Sequence, residues 1–188
     1  MYYSRKELLK IGFKKIGKNV KVSRLAKFYA FKGSIGNNSR IDDFAILKGN
    51  VKIGRNVHIS SFDYLAAVGS LITIGNYTGI SANVLIFSVT DDYFGNFMTN
   101  PTVDKKFRKT IKGPVKIGEN VSIGAGSVLL PNIKIGHSAS IGALSLVNRN
   151  VKSGYIYLNR GNETYMKIKD INVIKKKIKK FKKLDTTI

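Results

Sequence analysis

Residues 116–143 read KIGENVSIGAGSVLLPNIKIGHSASIGA, and the pair Ile-Gly occurs in them four times, at Ile117, Ile123, Ile135 and Ile141. The pairs stand six or twelve residues apart, and the spacing extends outward from this stretch. Ile35, Ile41, Leu47, Ile53, Ile59 and Leu65 form one run, Ile74, Ile80 and Ile86 a second, and Ile117, Ile123, Leu129, Ile135, Ile141 and Val147 a third. A period of six fits neither the 3.6 of a helix nor the 2 of a strand over such a length. It fits a parallel β-helix in which three short strands and three turns close one coil of 18 residues. Every sixth side chain then points inward and stacks on its equivalent roughly 4.8 Å along the axis.

The residue four after each aliphatic is mostly small or β-branched, as a tight interior corner requires: Ser39, Ala45, Val51, Val57, Thr78, Val84, Val121, Ser127, Ala139 and Ser145. Glycine after the aliphatic is expected to supply a turn with unusual dihedrals. The β-branched, glycine-punctuated composition argues against a helical reading.

The repeat breaks twice. Ile53 and Ile74 are 21 residues apart, so three extra residues sit near Gly69 to Leu71. Ile74 and Ile117 are 43 apart, of which one coil takes 18; the surplus of 25 falls within roughly the stretch 87–114, FSVTDDYFGNFMTNPTVDKKFRKTIKGP. A loop this long inside a compact repeat is usually functional, and the aromatics Phe87, Tyr93, Phe94 and Phe97 argue against plain disorder. The ends differ from the middle. Ser4 and Glu7 have capping-box spacing for a short helix through Leu8 and Leu9. Ile16, Val22 and Phe28 suggest an irregular first coil. Ile168, Ile171, Ile174, Ile178 and Phe181 make one stripe of a C-terminal helix whose other faces carry seven lysines between Lys175 and Lys183. Such a helix either lies on an anionic membrane surface or docks on the prism; docking is favoured, because a bare β-helix end exposes unpaired strand edges. The expected organisation is a capping helix and coil over 1–34, a β-helix over 35–153 with the loop 87–114 inserted, and an extension over 154–188 carrying the basic helix.

Lys and Arg total 33 against 11 acidic residues, a net charge of +22 in 188 residues. That balance points to anionic partners, although a chain rich in Lys, Ile and Asn also carries charge simply as a solvated surface. The absence of cysteine excludes disulfides, thiolate zinc sites and a Cys nucleophile. No N-terminal run resembles a signal peptide and no segment of about 18 apolar residues is present, so a cytoplasmic protein is expected, free or at the inner face of the membrane.

The segments SIGNNSRIDDFAILKG, VKIGRNVHIS, TDDYFGNFMTNPT and VKIGENVSIGAGSVLLPNIKIGHSASIGALSLVNRNV resemble the hexapeptide-repeat acyltransferases, and within them the O-acetyltransferases grouped with galactoside, maltose and xenobiotic acetyltransferases. The likeness covers about residues 33–153. It implies a left-handed coil, a homotrimer with active sites between subunits, acetyl-CoA as acyl donor, no metal, and a sugar hydroxyl as acceptor, with the TDDY…TNPT loop suggesting a surface-polysaccharide precursor, free, nucleotide-linked or lipid-linked. Two features depart from the pattern. Many relatives carry a catalytic histidine in the inserted loop, and this loop has none; the Gly-x-Pro-Ala-Lys segment that usually closes the last coil is replaced by Gly161-Asn162-Glu163-Thr164-Tyr165.

Acyl transfer to a hydroxyl needs a general base, an oxyanion donor and two substrates held in line. Histidine is the usual base near neutrality, and only His58 and His137 are present. His58 faces outward beside Val57, and its equivalents in other coils are Arg40, Gly79, Ser122 and Ser140, so the column becomes small just beyond it and leaves a groove. His137 shares a corner with Asn37, Arg55, Asn76 and Glu119, a solvated position. The candidate base is therefore His58. Asp91 and Asp92 lie where relatives place their loop histidine and are expected to orient His58 from a neighbouring subunit or to bind the acceptor; an Asx turn is their other reading. Tyr93 and Asn100 are candidates for acceptor contacts. The family likeness places coenzyme A along a channel of small residues, carrying over to Ala125, Ala143, Asn148 and Arg149, with Arg149 meeting a phosphate. Two other classes were weighed. A zinc enzyme on the same prism would need three histidines. A glycan-binding scaffold that has lost its base remains the alternative, while a nucleic-acid role lacks any motif.

Overall fold

The unit of the fold is a two-residue strand such as Ser122–Ile123, whose first side chain faces out and whose second faces in. In a computed structural model, which describes residues 1–93, 95–160, 163–168 and 172–185, these units stack in parallel register into a β-solenoid. One face is the ladder Arg40–Ile41, His58–Ile59, Gly79–Ile80, Ser122–Ile123 and Ser140–Ile141. A second runs through Ile46–Leu47, Tyr64–Leu65, Leu85–Ile86, Val128–Leu129 and Leu146–Val147. A third runs through Ser34–Ile35, Lys52–Ile53, Thr73–Ile74, Lys116–Ile117 and Lys134–Ile135. All fifteen aliphatics of the six-residue repeat are buried, none more than 4% exposed. Each such burial stabilises by about 1.5–3 kcal/mol, and together they form one continuous core.

The corners correct one expectation. The glycines after the aliphatics do not carry the left-handed conformation. Near the third face it falls two residues later, on Asn38, Asn56, Tyr77, Asn120 and Ser138, with φ between 54° and 61°. Asparagine enters this region more readily than most residues, which accounts for three of the five. Glycine is required for close approach instead: a Cβ on Gly36 would sit 2.6 Å from Gly54 and Arg55 backbone atoms, and one on Gly124 2.4 Å from the Ala143 nitrogen. Side chains then tie coil to coil. Asn37 accepts the Lys18 N–H at 2.9 Å, Asn76 the Arg55 N–H at 3.0 Å, and His137 Nδ1 the Glu119 N–H at 3.1 Å. His137 is thus a corner staple in an asparagine position.

The extra residues at the first break are 68–70, between Ala67 and Leu71 in the register with Gly49 and Asn50. The insertion is an arm: Val89–Asp91 pairs antiparallel with Thr110–Lys112, and Lys105–Phe107 forms a 3-10 turn. The N-terminal end is closed by helix α1, Arg5–Ile11, with the Ser4/Glu7 capping box and Leu8 buried. Under it Phe13, Phe28 and Phe31 meet at centroid distances of 4.5–5.5 Å.

At the other end the sequence reading is corrected again. Tyr155–Arg160 continues the first face in parallel with Ser140–Ile141, and Glu163–Ile168 returns antiparallel to it, so Ile168 belongs to a hairpin and not to a helical stripe. Ile171, Phe94 and the Gly161-Asn162 pair lie outside the described residues. Tyr157 takes the inward position below Ile141, fully buried, and its hydroxyl donates to the Leu146 carbonyl at 2.9 Å. Helix α2, Asn172–Asp185, sets Phe181 edge-on against Tyr77 at 5.9 Å. Among the described residues no helix is long and apolar enough to cross a membrane.

Asp63 is the acidic member of the interior corners, fully buried, with its carboxyl accepting the Ser60 N–H at 2.9 Å and the Val84 N–H at 2.8 Å. Burial pushes its pKa up to about 8 against the pull of those two N–H groups. A raised carboxyl pKa means that the folded state holds the proton more tightly. The stabilisation is complete below the unfolded value near 4 and is lost as pH rises through about 8. Asp63→Asn is expected to flatten this dependence, so that the difference in Tm between native and variant proteins shrinks from pH 5 to pH 9. A difference constant across that range would contradict it.

Candidate functional site

His58 stands in the first face between Arg40 and Gly79, as the column reading expects. Its ring is held by a residue that the sequence reading missed. Asp42, 13% exposed, lies one coil below and follows the inward Ile41; its Oδ2 is 2.8 Å from His58 Nε2, and Arg40 Nε donates to its Oδ1. Burial works to raise the Asp42 pKa, but hydrogen bonds from Arg40 and His58 outweigh it and hold the carboxyl below its ordinary value. The ionised carboxylate therefore fixes the tautomer: Nε2–H donates, and Nδ1 is left as the proton acceptor, on a ring 48% exposed. The signal for Asp42 was a carboxylate diagonal to His58 once residues are wrapped at 18 per coil. The arm aspartates were expected to orient His58 from a neighbouring subunit or to bind the acceptor; within one copy the carboxylate that contacts its ring is Asp42 of the prism.

Beyond His58 the surface opens. A Cβ on Gly79 would meet nothing within 4 Å, so the step next to the imidazole carries no side chain and no neighbour fills it. Ser81 follows on the same strand end and is exposed, its N–H donating to the Ile123 carbonyl at 2.9 Å. On the other side of His58 a cleft of about 240 Å³ is lined by Met1, Tyr2, Arg40, Asp42, Asp43 and Ser61. A larger cleft, about 650 Å³, lies elsewhere among Lys14, Lys15, Lys32 and Lys52 and holds none of the candidate residues.

The arm brings Asp91, Asp92 and Tyr93 together. Asp91 ends its first strand opposite Thr110; Asp92 is buried and its N–H donates to the Lys109 carbonyl at 3.2 Å; Tyr93 is 81% exposed. Asn100 sits apart, its side-chain oxygen accepting the N–H and hydroxyl of Thr102 at 3.0 and 2.9 Å. It shapes a turn near the arm's far end.

Of the residues expected along the small-residue channel, two share one corner. Ala125 and Ala143 are exposed neighbours at the corner after the first face, joined by the Leu144 N–H donating to the Ala125 carbonyl at 2.9 Å. Asn148 and Arg149 are exposed but follow Val147, which stacks on Leu129 in the second face. They therefore occupy the next corner and not the edge that carries Ala125 and Ala143. Among the described residues no three His, Asp or Glu side chains form a group able to hold a metal.

The family model described as bacterial transferase hexapeptide (six repeats) matches residues 33–62 and 111–149. A dTDP-4-amino-4,6-dideoxy-D-glucose acyltransferase of Escherichia coli is 40% identical over 136 residues, 70% of this chain and 70% of its own. The chain belongs to the hexapeptide-repeat acyltransferases. The solved structure of AntD, an N-acyltransferase from Bacillus cereus, in complex with dTDP and 3-hydroxybutyryl-CoA, is 34% identical and superimposes with a TM-score of 0.88 over 98% of each chain. An AntD variant in complex with dTDP-4-amino-4,6-dideoxyglucose and coenzyme A gives the same identity and TM-score over 97% of each chain. The AntD variants solved include substitutions at a serine and at an aspartate ten positions apart.

The open step at Gly79 can be tested directly. Its φ is not left-handed and its Cβ direction is empty, so Gly79→Leu is expected to leave Tm nearly unchanged. The same side chain would fill the groove beside His58. Misplacing a substrate there costs on the order of a hundredfold in acyl transfer. Unaltered turnover by a folded Gly79→Leu protein would remove the groove from the active site.

Proposed function

We propose that this protein transfers an acyl group from coenzyme A to the amino group of a dTDP-linked 4-amino-4,6-dideoxy sugar. The observation that carries the reading is a spacing. Ser81 and Asp91 stand ten residues apart, as do the serine and aspartate substituted in AntD, and no serine precedes Asp92 by ten. Ser81 borders the Gly79 groove and Asp91 stands at the end of an arm strand. An amine acceptor also replaces the hydroxyl expected from the sequence, in line with the E. coli dTDP-4-amino-4,6-dideoxy-D-glucose acyltransferase and with the N-acyltransferase AntD.

In this reading an amino sugar arrives as an ammonium. A carboxylate at Asp91 attracts it, His58 Nδ1 takes a proton, and the neutral amine attacks the thioester carbonyl. A C–N bond forms and the C–S bond breaks; the proton held by His58 passes to the departing thiolate, and the second proton lost by the acylated nitrogen goes to the freed His58 and from it to solvent. Ser81 is placed to donate to the developing oxyanion. The Ala125–Ala143 edge would take the pantetheine arm, and Arg149, one corner on, the nucleotide phosphates; Tyr93 and Asn100 remain acceptor candidates on the arm.

We propose a homotrimer in which the arm of one copy reaches the groove of the next. The support is the outer surface of the second face, where Ile46, Tyr64, Leu85, Val128 and Leu146 stack in register. The third face presents Lys52, Thr73, Lys116 and Lys134 at the same height. Acyl-CoA and a nucleotide sugar as substrates favour a cytoplasmic location, and the product class we favour is a surface-polysaccharide precursor. The surplus of lysines would attract both phosphorylated substrates. A hydroxyl acceptor is the second reading, favoured by the His58–Asp42 pair, since a hydroxyl needs a base at the moment of attack.

The test follows thiol release from acetyl-CoA and 3-hydroxybutyryl-CoA with dTDP-4-amino-4,6-dideoxyglucose beside its 4-hydroxy counterpart. The amine is expected to react at least about a hundredfold faster. Asp91→Asn is expected to lower kcat/KM by roughly 10²–10⁴, in the range of a lost proton-transfer or charge-positioning group. Reaction with the hydroxyl sugar alone would restore O-acyl transfer; no thiol release with either, alongside glycan binding, would point to the scaffold.

A further inference from the structure

One edge of the prism carries two exposed, stacked aromatic rings on adjacent rungs. The residues three after Ile41, Ile59, Ile80, Ile123 and Ile141 are Phe44, Phe62, Asn83, Gly126 and Leu144, all left-handed at φ 59–69°. Corner hydrogen bonds keep them in line: Phe62 N–H to the Asp43 carbonyl, Asn83 to Ser61, Gly126 to Ala82 and Leu144 to Ala125. A left-handed position disfavours bulky residues, and the opposite corner uses asparagine there. Yet Phe44 and Phe62 stack on each other at 5.1 Å and 18°, 48% and 58% exposed.

The stack stops where a ligand could continue it. The next rung carries Asn83, exposed, with no hydrogen-bond partner for its side-chain amide among the described residues. The rung after is Gly126, and the Leu144 side chain folds over it: a Cβ on Gly126 would lie 2.7 Å from Leu144 Cδ2. Leu144 is itself 77% exposed. The result is a slot one rung thick, with the open face of Phe62 on one side, Leu144 on the other and a free amide at its floor. It adjoins Ser61 and Asp43 of the cleft beside His58, on the N-terminal side of the Ala125–Ala143 edge.

We infer that this slot holds the pyrimidine base of the acceptor nucleotide, stacked on Phe62 and read by Asn83. The inference rests on the proposed nucleotide-linked acceptor. A planar base presents a π-face to the ring, and a side-chain amide offers the donor and acceptor that match an imide C=O and N–H. The single rung accommodates one flat ring.

The test is direct binding of dTDP, and separately of coenzyme A, to the full-length protein by calorimetry, without turnover. Phe62→Leu keeps an apolar side chain and removes the π-face; Phe62→Trp restores one. Stacking contributions of this kind correspond to roughly a five- to hundredfold loss on removal. Phe62→Leu is expected to weaken dTDP by about tenfold or more, Phe62→Trp to recover it, and Asn83→Ala to reduce the preference for dTDP over dCDP, with coenzyme A affinity constant throughout. Equal dTDP affinity in native and Phe62→Leu proteins overturns the slot while leaving the proposed function standing. Loss of coenzyme A affinity instead, or of oligomeric state measured by light scattering, overturns it in favour of adenine or of a subunit contact. A native protein that binds no dTDP overturns both readings.

Discussion

The in-register stacking of one coil on the next governs everything else in this molecule. Parallel ladders demand that each coil repeat its predecessor's backbone, and the core is then filled only if an aliphatic returns every sixth residue. The same demand brings the corners into backbone contact. That contact excludes any side chain at Gly36 or Gly124 and recruits Asn37, Asn76 and His137 as ties between coils. Asp63 shows how strict the corner is: a carboxyl is tolerated at full burial because two N–H groups meet it.

A repeat of this kind is chemically uniform, so its function lies where uniformity fails. His58 is the one imidazole in an outward column of Arg40, Ser122 and Ser140, and Gly79 is a gap in it. The arm is an excursion out of the coil, and Asn83 and Gly126 end an aromatic stack. The arm leaves the coil between the second and third faces; the other departures lie on the first face and the corner after it. The lysines of the third face vary the surface without interrupting the register.

Much of this was readable in advance. The aliphatic period named the core residues individually, the small residues four places on marked the interior corners, and the column through His58 gave its neighbours, because every one of these follows from the arithmetic of 18 residues per coil. The reading failed where the arithmetic changes. Arg149 was assigned to the alanine edge although it follows a strand of another face. Ile168 was counted in a helix because a spacing of three and four persists by chance across a hairpin and into the start of α2. Glycine was credited with the turn dihedral when its role is to let two backbones touch, a distinction invisible without the neighbouring coil. Asp42 was missed because its contact with His58 is diagonal, between columns.

Sequence alone determined the solenoid, its core and the existence of an inserted segment, since a six-residue hydrophobic period has no other compact solution. Tertiary structure alone decided which carboxylate orients His58, which corner each small residue occupies, that the insertion is a two-stranded arm, and that a tyrosine closes the last rung. The physical reason is one of range. Burial patterns are written residue by residue along the chain, whereas a hydrogen bond or a groove depends on side chains that meet only after the coils have been laid one upon another.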